Sequence, residues 1–311
     1  MEADPSPDGF KIENAKIPIL LALRPVKTLK PHEETVRLSL DALVALLRRD
    51  PVLRHPILVD EKTGLVLDGT HRLAALVELG CQFAPCALVN YQDSRIMVER
   101  WFRKIEGTNL RDFKPKLATI APRHVESTKA EQCLSNRTCY ASIEDPDDCL
   151  VFSTMPVDPV DLAHAGYEIE KIARKDRLQI TYEDKKTFPH SNGFVLSTIA
   201  IHKPEVIEAS NRRRVFPPKT TRHIIPSRPL GIGVSLALLR ESDLGEAQRK
   251  LLKHLHSRRL VRKPEGSWVG SRRYQEEVFL FERDSCDSVS ESDRQGETNR
   301  GPGIGSWPAR V

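Results

Sequence analysis

Apolar positions recur at helical spacing from Thr35 to Arg49, where Val36, Leu40, Leu43 and Leu47 share one face, and Asp50-Pro51 ends the pattern. An amphipathic helix is expected there. Pro56 to Val59 and Leu65 to Leu67 are short apolar runs separated by Asp60-Glu61-Lys62-Thr63-Gly64, a polar loop ending in glycine, which predicts a β-hairpin. Asp68-Gly69-Thr70 follows, and the periodic stretch His71 to Leu79 then stops at Gly80, the usual residue just past a helix end. A strand is expected at Cys86 to Val89. Beyond Lys114-Pro115 the periodicity weakens, and Cys139 to Asp148 is polar and acidic enough to read as a loop or insertion. Gln179 to Tyr182 and Phe194 to Ile201 read as strands, Pro204 to Ala209 as a short helix and Glu246 to His256 as a longer one. Both ends, Met1 to Ala15 and everything from Asp284 onward, are polar with little to bury and are expected to be disordered.

A chain of 311 residues accommodates more than one packed core or one core with additions. Hydrophobic residues at 39% and charged residues at 29% are ordinary globular values. The longest apolar run, Ile17 to Leu23, is too short to span a bilayer, and the acidic start at Glu2, Asp4 and Asp8 does not resemble a secretory leader. A cytoplasmic protein with no membrane partner is expected. Cys81, Cys86, Cys133, Cys139, Cys149 and Cys286 form no CxxC pair and have no histidine at zinc-ligand spacing, so they read as free thiols and no structural zinc is inferred. The net charge of +5 is spread along the chain in short clusters such as Arg212-Arg213-Arg214. Such clusters are usually solvated faces; they argue against nucleic acid as the main partner and suit nucleotide phosphates at least as well.

Three segments and one side chain carry candidate chemistry. Asp68-Gly69-Thr70-His71-Arg72 stands where a strand turns into a helix, so unpaired helical N–H groups, the helix dipole and the side chains of His71 and Arg72 converge on one anion. Its bland alternative is a helix cap beside a surface arginine. Lys30-Pro31-His32-Glu33-Glu34 places carboxylates just ahead of the first helix, where one could accept a hydroxyl proton or merely complement the dipole. Far downstream, Pro217-Pro218-Lys219-Thr220-Thr221-Arg222-His223 is a rigid, donor-dense stretch that suits phosphate or carboxylate and otherwise reads as a basic loop. Trp101, flanked by apolar residues, is by itself more readily a core residue than a ligand contact.

Together these segments resemble the free L-serine kinases of the ParB/sulfiredoxin superfamily, which carry a Lys-Pro-His-Glu segment, a DG-x-HR turn and a Pro-Lys-Thr-Thr-Arg-His signature. The departures select within that superfamily. Thr70 stands where sulfiredoxins have their catalytic cysteine, and no ParB-type Gly-Glu-Arg-Arg motif or helix-turn-helix is visible. The resemblance implies an α/β (α+β) fold, with a ParB/sulfiredoxin-like nucleotide-binding domain over 21–115 and a smaller α/β domain over 116–282 that closes the cleft; the polar ends complete the expected division as a flexible stretch over 1–20 and a disordered tail over 283–311. It implies Glu33 as catalytic base. It implies nucleotide phosphates at Asp68, Gly69, Thr70, His71, Arg72, Lys219, Thr220 and Thr221, with Trp101, Arg222 and His223 around the serine. A further acidic residue of the family falls on Ser39 here. The implied cofactor is Mg²⁺ with ADP or ATP, Asp68 helping to place the ion, and the implied product is O-phospho-L-serine. A ParB-like nucleotide-dependent DNA binder and a non-catalytic amino-acid or nucleotide sensor are the alternatives. The residues do not distinguish ADP from ATP, or serine from threonine, and they leave the oligomeric state open.

Overall fold

The computed structural model describes residues 8–120, 122–153, 158–189 and 192–282. Two six-stranded sheets organise it. The first runs in the order Phe10–Ile12, Ile19–Pro25, Phe83–Val89, Ile57–Asp60, Leu65–Asp68, Lys30–Pro31. Its pairings are antiparallel except where Ile57–Asp60 meets Phe83–Val89 and Lys30–Pro31 meets Leu65–Asp68, which are parallel. The expected hairpin is present, with a register shift between Leu58 and Val59. Helix α1 (Arg37–Arg49) forms from the predicted stripe, burying Leu40, Leu43, Val44 and Leu47. It contacts helix α2 (Thr70–Glu78), which packs on the central strands. Val36 departs from the expected apolar face: it precedes α1 and is 37% exposed. Gly80 has φ of +70°, the left-handed residue that lets the chain leave α2.

The second sheet is wholly antiparallel, in the order Arg123–His124, Cys149–Ser153, Cys139–Glu144, Gly193–Thr198, Phe102–Glu106, Gln179–Glu183. Cys139 to Asp148 is therefore not the loop that its polarity suggested. Cys139–Glu144 is a strand with all six residues buried, and the Glu144 carboxylate that disguised it is ion-paired with Lys186. The expected strands and helices of the C-terminal half are present, as Gln179–Glu183, Gly193–Thr198, Lys203–Asn211 and Leu244–His256, the second strand ending at Thr198 and not at Ile201. Helix Pro159–Lys175, not anticipated from the sequence, covers the second sheet; a side chain at Gly166 would come within 2.8 Å of Thr198.

The sheets do not divide the chain into consecutive halves. Phe102–Glu106 precedes residue 115 yet belongs to the second sheet, whereas Leu244–His256 follows 116 yet packs on Ile19–Pro25 of the first. Gln248 on that helix accepts a hydrogen bond from the Leu23 amide at 2.8 Å. The expected flexible N-terminus needs correction over its described part. Phe10–Ile12 pairs with Ile19–Pro25, Ile12 is buried, and Phe10 makes an edge contact with Phe281, so two apolar residues are enough to seat the strand. Residues 1–7 and the tail 283–311 lie outside the described residues. Cys81, Cys86, Cys133, Cys139 and Cys149 are free, and no described helix is long and apolar enough to cross a membrane.

Candidate active site

Strand Leu65–Asp68 passes into α2 through Gly69, whose φ of +106° favours glycine. A Cβ there would also lie 3.0 Å from the Arg72 guanidinium, which folds back over the turn. Arg72 donates to the Pro56 carbonyl and pairs with Asp68 at 3.2 Å. Asp68 is paired as well with Arg228 on strand Ser227–Leu230, and Arg228 reaches Glu276 at 2.7 Å. Burial alone would raise the Asp68 pKa, but Arg228 and then Arg72 outweigh it and hold the carboxyl well below the usual carboxylate range. His55 beside this cluster is kept neutral, its pKa pushed to about 4 by burial and then by Arg72 and Arg228. Its Nδ1 accepts the Gly231 amide at 3.1 Å.

His71 makes a contact that sequence spacing did not suggest. Its Nε2 accepts the Val36 amide at 2.9 Å, anchoring the start of α1, while burial and then Lys219 lower its pKa. The imidazole is neutral, and Nδ1–H is its remaining donor. Thr70 is half-buried at the first position of α2.

Glu33 meets the downstream basic segment directly. A parallel bridge joins Glu33 to Phe216, with the Glu34 amide donating to Phe216 and the Phe216 amide donating to His32, each at 2.8 Å. That register carries the Glu33 carboxylate onto the turn beyond Pro217. Oε2 accepts the Lys219 amide at 3.1 Å, and Oε1 accepts the Thr221 amide at 2.6 Å and its hydroxyl at 2.7 Å. The Thr221 hydroxyl also lies 2.8 Å from His32 Nε2, and His32 Nδ1 donates to Val66 at 2.6 Å. Thr220 is buried and donates to Pro217 at 2.8 Å, closing the turn. Glu34, by contrast, points away towards His164, 4.0 Å distant.

Trp101, 8% exposed, donates its indole N–H to the Thr221 carbonyl at 3.1 Å. Its ring carries Lys219 Nζ at 5.5 Å and the Arg222 guanidinium at 5.3 Å from the centroid. Arg222 pairs with Glu99 at 2.6 Å and Asp184 at 3.2 Å. His223 touches the Tyr91 hydroxyl at 2.9 Å and stacks edge-on against His32 at 4.9 Å, and burial followed by the His32 charge lowers its pKa well below the ordinary value. The residues assigned from sequence to the nucleotide, the serine and the base, Glu33, Asp68 to Arg72, Trp101 and Lys219 to His223, thus fall in two adjoining clusters, linked through His71 with its neighbours Lys219 and Glu33. Ser39 is exposed on α1 and joins neither. Arg228 and Arg103, which donates to the Lys219 carbonyl at 3.1 Å, were missed. Arg228 stands five positions past His223, close enough to have been included with the basic segment.

No family model matches the chain. In sequence it is similar to the ATP-dependent L-serine kinase of Staphylothermus marinus, 28% identical over 225 residues spanning 66% of this chain and 85% of the relative. The ADP-dependent L-serine kinase of Thermococcus kodakarensis is 24% identical over 219 residues, 67% and 88% of the two chains. A ParB-like protein of Sulfolobus acidocaldarius is 26% identical over 199 residues, 64% and 87%. In structure it matches free serine kinase in complex with AMP, at a TM-score of 0.60 and 21% identity, covering 77% of this chain and 98% of that one. The chain has the free serine kinase fold. The resemblance carried by the three motifs is borne out, and that fold brings Glu33 and the Lys219 segment to the DG-x-HR turn.

Proposed function

We propose that this chain transfers a phosphoryl group from a nucleotide to the hydroxyl of free L-serine, giving O-phospho-L-serine. The observation that carries the reading is the seating of Glu33 on amides of Lys219 and Thr221, the first of them 186 residues away, beside the helix start that suits phosphate. Two main-chain donors and a hydroxyl fix the carboxylate's orientation, as a base that must meet a hydroxyl requires. The α2 N-terminus and Arg72 hold the phosphates of the nucleotide, and the Lys219 ammonium offsets charge on the group in flight. Trp101 forms a wall of the serine site, with Arg222 and His223 at its margin. In the forward step the serine O–H bond breaks towards Glu33 as the serine oxygen bonds to phosphorus, and the electron pair of the cleaved P–O bond leaves with the nucleotide.

The residues fit Mg²⁺ held chiefly by nucleotide phosphates. No group of three or more His, Cys, Asp or Glu side chains suited to a metal exists among the described residues, and this ion commonly relies on few protein ligands. When bound, it offsets phosphate charge. We assign Asp68 first to holding Arg72 and Arg228 together. The relatives include both ATP- and ADP-dependent kinases, so the donor is decided by assay. Incubation with L-serine, Mg²⁺ and either ATP or ADP should yield phosphoserine by mass spectrometry with at least one of them. L-threonine in parallel defines the acceptor, and no product from any pair contradicts the proposal.

A further inference from the structure

The Arg103–Glu170 ion pair lies behind the site, with side chains 2% and 0% exposed. Burying two charges costs free energy unless their hydrogen bonds are satisfied, and an apolar pair of similar size often serves stability as well or better. Stability alone is thus a weak reason for it. The guanidinium reaches four acceptors: Nε donates to Glu170 at 3.1 Å, Nη1 to the Trp101 carbonyl at 2.9 Å and Thr198 at 3.2 Å, and Nη2 to the Lys219 carbonyl at 3.1 Å. Glu170 is itself held through its other oxygen by Arg174 at 2.7 Å and the Tyr182 hydroxyl at 2.6 Å.

Lys219 has φ of +62°, a left-handed conformation that costs a residue with a Cβ roughly 1–2 kcal/mol. Both of its peptide groups are pinned. Its amide donates to Glu33, and its carbonyl accepts from Arg103. Its ammonium lies over the ring of Trp101, whose carbonyl is held by the same guanidinium.

We propose that Arg103, fixed by Glu170, is a positioning residue for phosphoryl transfer. It holds Lys219 in the left-handed conformation and thereby sets where the amide meets Glu33 and where the ammonium stands beside Trp101. The proposal rests on the roles given above to Glu33 and Lys219.

The test separates this role from a structural one by replacing the pair with apolar side chains, Arg103→Met with Glu170→Leu, in the full chain. The circular-dichroism spectrum should remain that of a folded chain even though the melting temperature falls, because the Trp101 and Lys219 carbonyls and the Tyr182 hydroxyl lose their partners. The kcat should nevertheless fall ~10- to 100-fold with little change in nucleotide KM, because misplacement rather than lost binding is the defect. Hydrogen exchange over residues 216–222 should accelerate, since the amides of Lys219 and Thr221 lose their fixed acceptor geometry. Arg103→Lys, which keeps the charge but not the planar fork, should recover only part of the loss. Parental kcat together with parental exchange in the double variant overturns the proposal; if that variant does not fold, the same result in Arg103→Lys does so. Should the parent itself make no phosphoserine, the kinase reading fails, and exchange over 216–222 still decides whether Arg103 holds the segment.

Discussion

The DG-x-HR turn and the Lys219 segment both serve a phosphorylated ligand in this account, but they are built by opposite means. At the turn, side chains face side chains: Asp68, Arg72 and Arg228 form a charge cluster beside a helix start. At the Lys219 segment, main-chain amides face a side chain, and the Glu33 carboxylate is oriented by the path of the backbone. The first arrangement tunes charge and should govern how tightly nucleotide binds. The second sets geometry and should govern how fast the bound complex reacts.

Substitutions can break that contrast. The largest effect is expected for Glu33→Gln, which keeps shape but removes the proton acceptor: kcat should fall ~10²- to 10⁴-fold with nucleotide affinity nearly unchanged. Steady-state kinetics and calorimetry on one preparation check both halves, and Glu34→Gln should be close to parental, since Glu34 points away from the cluster. Next comes Lys219→Ala, expected to lower kcat/KM by ~10²-fold or more through lost charge stabilisation, with the fold confirmed by circular dichroism. Arg72→Ala should act in the other sense, weakening nucleotide binding by roughly 10- to 100-fold, as for a lost charge-assisted hydrogen bond, and lowering kcat less. A fall in kcat alone for Arg72→Ala would erase the distinction between the two regions.

The smallest effect concerns acid stability around the turn. Folded His55 stays neutral down to about pH 4, whereas an unfolded histidine takes up its proton near 6.5. The unfolded state binds more protons in that window, so stability falls as the pH drops from 6.5 towards 4. His55→Asn should flatten that dependence in thermal melts at pH 4.5, 5.5 and 7, and an unaltered slope would mean that His55 is not held neutral.

Local patterns made much of the first sheet legible. The stripe of α1, the glycine-ended hairpin loop and the Gly80 stop each depend on neighbours in sequence. The DG-x-HR turn is legible for the same reason, because its donors are consecutive. Strand Cys139–Glu144 was hidden because Glu144 is neutralised by Lys186, which no local pattern reveals. Glu33 and the Lys219 segment were singled out as a candidate site only through the family resemblance; their own chemistry is equally that of a helix start and a basic loop. Arg103 and Glu170 had no such aid. Each is an unremarkable charge in sequence, and their roles depend on partners that only the fold supplies.

The central claim is that the serine hydroxyl itself attacks phosphorus under the control of Glu33. Serine labelled with ¹⁸O in its hydroxyl, incubated with Mg²⁺ and the active nucleotide, tests this most directly by mass spectrometry of the product. The account predicts phosphoserine that retains the label with the parent, and far less of it with Glu33→Gln. Unlabelled phosphoserine, or equal yields from the two proteins, would contradict it.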